Sequence, residues 1–195
     1  MTTQCGVGAE TYWRAIVPPM LSPFPVRLVD SDPDWPRQAQ ERIARLRVLE
    51  PVLVVVHHIG STSVPGLIAK PIIDLMPLVT DLGALDQERG AVEALGYRWH
   101  GEYGIPGRRY CTLEIGDRRV AQLHFFTMGS PQAHRHLAFR DYLRAHPGEA
   151  AAYAAVKRRA RDRHPHDSHA YGAEKQPWID QAEAQALAWY SARNA

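Results

Sequence analysis

Three short segments of the 195-residue chain combine side chains that could handle a phosphorylated ligand. The first is His58-Ile59-Gly60-Ser61-Thr62-Ser63-Val64-Pro65-Gly66-Leu67. Gly60 lets a backbone approach a ligand closely. Three consecutive hydroxyl residues add donors to the backbone N–H groups, as in a concave anion-binding nest. An ordinary polar turn has the same composition, so this segment alone does not decide. The second is Lys70-Pro71-Ile72-Ile73-Asp74-Leu75-Met76. Strand alternation there puts Ile72, Asp74 and Met76 on one face and Ile73 and Leu75 on the other. A carboxylate inside an apolar strand is costly unless paired, hydrogen-bonded or metal-bound. The third is Arg119-Val120-Ala121-Gln122-Leu123-His124-Phe125-Phe126, which places Gln122 and His124 opposite Leu123 and Phe125. An imidazole facing Asp74 could share a metal with it or hydrogen-bond to it.

Other residues could assist. Lys70, Arg108 and Arg109 could neutralise a polyphosphate, the guanidinium forks in pairs and the ammonium as a point charge; ordinary surface charge is the alternative. Tyr110 could stack on a base or simply pack. His58, Arg135 and Arg140 are further candidates, and His136 and Arg140 share a helix face by i,i+4 spacing. Lys157 to Arg163 reads as a solvated helix end, where cations favour the dipole. His164, His166 and His169 surround Pro165, which leaves a metal geometry undefined.

The elements that must position these groups follow from periodicity. Val26–Val29 reads as a short strand. Asp34 is placed to cap a helix opened by Trp35 and Pro36, with Trp35, Ala39, Ile43 and Leu46 as its apolar stripe. Val52–Val56 is a β-branched run, His57–Gly66 a polar loop, and Ile72–Val79 a second buried strand. Leu82, Leu85, Val92 and Leu95 mark one helix, with Gly96 as its cap. Tyr97–His100, Arg109–Ile115 and Arg119–Thr127 are β-like, with Gly116-Asp117 as a turn. From Pro131 the pattern turns helical: His134–Ala145, then a segment from Pro147 to about His164, then one capped by Asp167 or Ser168 that reaches Tyr190. Pro177 is expected to kink or restart the last. The order predicts an α+β domain over residues 26–193, a mixed sheet flanked by helices with a C-terminal helical segment, behind an N-terminal appendage of residues 1–25.

Composition narrows the function classes. A net charge of +2 gives no field strong enough to argue for nucleic acid. No apolar run is long enough for a bilayer-spanning helix. The two cysteines, Cys5 and Cys111, form no CxxC pair. The start lacks a signal-peptide pattern, so the cytoplasm is the expected location.

At this point the chain resembles the GrpB family. The resemblance rests on His58 to Leu67, Ala69-Lys70-Pro71 with Asp74, Gly104 to Tyr110, Leu123-His124, His136 to Leu143, and Tyr171 with Lys175. GrpB proteins are placed in the nucleotidyltransferase superfamily. The resemblance implies a nucleotidyltransferase-like fold in which Gly60 and Ser61, with Thr62, hold nucleotide phosphates and Asp74 is the first metal carboxylate. It implies a nucleoside triphosphate as candidate substrate, a divalent metal, and transfer of a nucleoside monophosphate to an unknown acceptor. Lys70 would hold phosphate, His124 the metal, and Arg108 and Arg109 the developing charge. The superfamily's second carboxylate falls at Met76, a thioether unsuited to magnesium, and its third at His124. GrpB-like domains also occur joined to dephospho-CoA kinase. The alternative is therefore a non-catalytic module that keeps the fold and binds a protein partner.

Overall fold

The computed structural model describes residues 21–193. Five strands form one mixed sheet: β1 (Leu53–Ile59), β2 (Ile73–Val79), β3 (Arg98–Trp99), β4 (Arg109–Ile115) and β5 (Arg118–Thr127), in the spatial order β1-β2-β5-β4-β3. β2 and β5 run parallel and every other neighbour pair is antiparallel. The parallel pair brings Asp74 into register with Gln122, and β4 sets Tyr110 opposite His124. Side chains in register share a face, so Asp74, Gln122, His124 and Tyr110 line one surface, as the alternation predicts.

The opposite face carries the main core. Leu75, Val79, Cys111, Leu123 and Phe125 pack there against α1 (Trp35–Leu46), α2 (Leu82–Gln87) and α3 (Arg89–Ala94), through Trp35, Ala39, Leu46, Leu85 and Val92. On the Asp74 face, Met76, Leu78 and Phe126 meet Ala133 of α4 (Pro131–Ala145). Helices α5 (Pro147–Arg163) and α6 (Ser168–Arg193) complete that layer. This is the α+β architecture expected, a mixed sheet flanked by helices with a helical C-terminal segment.

Several local expectations differ from the structure. Val26–Val29 forms only a single bridge, Val29 to Ala69, instead of a strand. Asp34 precedes α1 but its carboxylate binds Arg37 in place of a backbone N–H, because its own backbone is already helical. β1 continues through His57 and His58 to Ile59, so both histidines lie in a strand and not in a loop. The helix expected over 82–95 breaks at Glu88 into α2 and α3. α2 is capped by Asp81, whose carboxylate accepts from Ala84 N–H at 2.7 Å. Tyr97–His100 shrinks to two paired residues. α6 runs through Pro177 without restarting. Its residues Tyr171, Ala182 and Ala186 are buried, and that packing outweighs the ~3 kcal/mol that an internal proline costs. Of the expected appendage, residues 1–20 lie outside the described residues.

Phe125 is fully buried between the sheet and its helices. Phe125→Ala should lower unfolding free energy by about 3–5 kcal/mol, read as a lower urea midpoint at unchanged slope. Val54→Ala, at a site 48% exposed, should change it by less than about 0.5 kcal/mol.

Candidate functional site

Asp74 stands near the start of β2, beside the turn that ends β1. Gly60 has φ +69°, in the left-handed region, and a Cβ there would lie 2.5 Å from Asp74 Oδ2. Glycine is therefore required twice over, by its backbone and by the carboxylate against it. Ser63 Oγ donates to Gly60 O at 2.6 Å and closes the turn. Across the parallel pair, His124 Nε2 is 3.5 Å from Asp74 Oδ1. The two residues that spacing predicts to meet do meet.

Three lysines surround this carboxylate. Lys157, only 2% exposed, donates from Nζ to Ser61 Oγ at 2.5 Å and to Ile68 O at 2.7 Å. Lys175 lies over the Tyr171 ring at 4.4 Å, and Lys70 over the same ring at 5.5 Å. Burial, the largest influence on each, pulls all three ammonium groups down: Lys157 well below the ordinary lysine range, Lys175 to about 8, Lys70 less far. They also repel one another, while Asp74 favours the charged form of every one of them. Desolvation and mutual repulsion outweigh one carboxylate, so the ammonium forms are disfavoured until a further anion joins them.

The strand neighbours form a polar wall. Tyr110 Oη donates to Gln122 Oε1 at 2.6 Å, and Arg119 reaches Tyr110 Oη at 3.4 Å. Arg108 is buried across Tyr110 at 4.8 Å. It donates to the carbonyls of Glu102 and Tyr103 and approaches His124 Nδ1 at 3.4 Å. Burial pulls it down to about 10. Tyr103 itself has φ +46°, an uncommon conformation for a residue with a Cβ. His136 lies behind His124 with Nε2 unpartnered and is held neutral by burial.

The remaining sequence candidates go elsewhere. Arg109 is turned to the opposite face and grips Asp86 of α2 at 2.6 and 2.7 Å, because its register partner is Phe125 and not His124. Thr62 points inward, its Oγ1 2.9 Å from His58 Nε2. His58 shares a face with Leu75, away from Asp74, and burial pulls it to about 4. Arg135 pairs with Glu183, and Arg140 with Asp141 and the His58 carbonyl. A cleft of about 640 Å³ opens on that side of the turn, lined by Pro36, His58, Leu67, Leu143 and Arg144, and it contains neither Asp74 nor His124.

Sequence reasoning missed Lys157, which it assigned to a solvated helix end, and gave no role to Lys175. A signal was present. Each lysine follows a buried tyrosine by four residues, Tyr153 to Lys157 on α5 and Tyr171 to Lys175 on α6. That spacing puts a cation on a helix's inward face.

The donor set bears on the implied metal. Among the described residues no group of three or more His, Cys, Asp or Glu side chains is placed to hold one. Met76, two residues after Asp74 on the same strand face, is fully buried among Ile59, Leu78, Phe126 and Ala133 and adds no oxygen ligand. One carboxylate and one imidazole amid three lysines do not fit a clamp of hard divalent cations, which needs several oxygen ligands.

A family model described as GrpB protein matches residues 25–185. UPF0157 protein YqkA of Bacillus subtilis is 40% identical over 170 residues, covering 87% of this chain and 49% of that protein. A dephospho-CoA kinase of Mycolicibacterium paratuberculosis is 33% identical over 192 residues, covering 85% of this chain and 47% of the kinase. The chain thus spans about half the length of these two relatives. The crystal structure of GrpB from Enterococcus faecalis superposes with a TM-score of 0.79 at 36% identity, covering 84% of this chain and 99% of that one. With the family model spanning most of the chain and a solved relative sharing its fold, the chain belongs to the GrpB family.

Proposed function

We propose that this chain binds a polyphosphate-bearing small molecule, a nucleoside triphosphate by its resemblance to nucleotidyltransferases, in the cleft between the Gly60 turn, β2 and helices α5 and α6. The observation that carries this reading is the three-lysine cluster beside Ser61, with Asp74 as its one carboxylate. Buried ammonium groups are costly to charge, and an anionic ligand lowers that cost. Phosphate oxygens do so with charge-assisted hydrogen bonds. Lys157 and Lys175 come from the helical layer and Ser61 from the turn after β1, so the anion would tie the two layers together.

Two-metal transfer chemistry needs oxygen ligands that this site does not assemble. Lysine charge takes the place of metal charge, and binding should persist in a chelator. Met76 favours a second reading, a module that keeps the fold and binds another protein. A partner that co-purifies equally with the wild type and Asp74→Ala supports it; loss of that partner in Asp74→Ala removes it.

Calorimetry with ATP and inorganic tripolyphosphate, in EDTA and in magnesium, tests the leading reading. Lys175→Met should fold normally and weaken both ligands roughly 10–100-fold, the value of a hydrogen bond to a charged group. Gly60→Ala should abolish binding, since its methyl group collides with Asp74. Failure of the wild type to bind either ligand removes the reading.

The pH dependence has a definite sign. A polyanion binds the ammonium form of Lys175, which burial holds at about 8. Below that pH the group is already charged. Above it a proton must be taken up on binding, so Kd should rise with pH by up to about tenfold per unit for this one group. Lys175→Met should flatten the rise, measured from pH 7 to 9.5.

A further inference from the structure

The segment Leu21–Pro25 lies against one side of this site. Leu21 N–H donates to Tyr103 Oη at 2.9 Å, and Phe24 N–H donates to Ser168 Oγ at 3.2 Å. Between these ties the Phe24 ring lies 4.9 Å from Lys70 Nζ and 5.1 Å from the Arg119 guanidinium. Lys70 belongs to the lysine cluster and Arg119 to the Tyr110–Gln122 wall, so one ring covers a cation of each. Pro23 and Pro25 flank it and are exposed. They keep this stretch extended and without N–H groups of their own to bond.

Resting on the polyphosphate site proposed above, we infer that Phe24 is a gate: its ring covers Lys70 and Arg119 and swings outward, about Pro25, when the ligand enters. The attachments divide at that point. Val26 is buried and donates to Pro165 O at 2.8 Å, and Val29 forms the bridge to Ala69. Among the described residues, Leu21–Phe24 is tied by two hydrogen bonds to side chains and by ring–cation contacts. A cation–π contact is worth roughly twofold to thirtyfold in an equilibrium. A phosphate oxygen offers the same ammonium a stronger, charge-assisted bond, so the ligand outcompetes the ring and the gate opens by exchange of partners. The Leu21 anchor is linked to the site as well. The carbonyl of Tyr103 accepts from Arg108, which reaches His124, and the Tyr103 ring stacks on Tyr110 at 5.1 Å.

A closed fraction reduces apparent affinity in proportion to the open population. In the full chain, Phe24→Ala should therefore tighten tripolyphosphate binding about 3–30-fold, with faster association by stopped flow. Phe24→Tyr, which keeps the ring, should behave as wild type. A second readout needs no ligand: acetic anhydride should acetylate Lys70 severalfold faster in Phe24→Ala, quantified by peptide mass spectrometry against an exposed lysine-free region's internal standard. Unchanged Lys70 labelling, or unchanged or weaker tripolyphosphate binding in Phe24→Ala while the wild type binds, overturns the gate and leaves the site. Absence of binding in both proteins overturns the site, and the gate with it.

Discussion

The arrangement turns on the charge of Asp74. A carboxylate in a strand of otherwise apolar residues has to be compensated, and nearly every notable feature around it answers that demand. Gly60 gives up its side chain so that the turn can lie against the carboxylate. His124 approaches from the parallel neighbour strand. Three lysines come close enough for Asp74 to favour their charged forms, although burial opposes it. Removing Asp74 would take away the carboxylate that favours the charged form of all three lysines.

That demand explains why the helical half is attached to the sheet as it is. Lys157 is the connecting bolt. Its ammonium group donates at once to Ser61 on the turn and to the Ile68 carbonyl, and lies 4.5 Å from the centre of the Tyr153 ring on the same helix. Tyr153 in turn stacks on Trp178 of α6 at 4.7 Å with nearly parallel rings. The same helices thus hold one another through aromatic packing and hold the site through lysine heads, the apolar stem and polar tip of each lysine serving two roles.

How much of this was legible in the sequence follows from which forces are local. Strand alternation is local, and it placed Asp74, Gln122 and His124 on one face correctly. The fold class was legible for the same reason, since runs of period two precede runs of period 3.6. Boundaries failed where pairing overrides composition. His57 and His58 look like loop residues, yet Met76 and Leu75 on β2 hold them in register. Arg109 looked equivalent to Arg108 because adjacent positions in a strand are indistinguishable until a register assigns them to faces, and the pairing with Phe125 sends Arg109 to Asp86. Lys157 was hidden by its neighbours. Arg158 and Arg159 are exposed, so the run reads as solvated, and only the four-residue spacing from Tyr153 distinguishes the one cation that turns inward.

The energetic argument for a ligand runs through that inward cation. Replacing a buried charge cluster by apolar side chains of similar size is often neutral or stabilising. Met76 demonstrates that this site accepts such a residue: it occupies the same face as Asp74, two positions on, fully buried in an apolar cluster. A cleft selected for stability alone would have lysines replaced in the same way. Instead three lysines stand there, each with its ammonium disfavoured by burial and by a neighbouring cation. Strain of this kind is tolerated where it prepares a site for an opposite charge, because the desolvation has been met in folding and need not be met again on binding. The apolar methionine and the uncompensated lysines therefore point the same way. Met76 offers a metal no hard ligand beside Asp74, whereas the lysines offer a phosphate its donors.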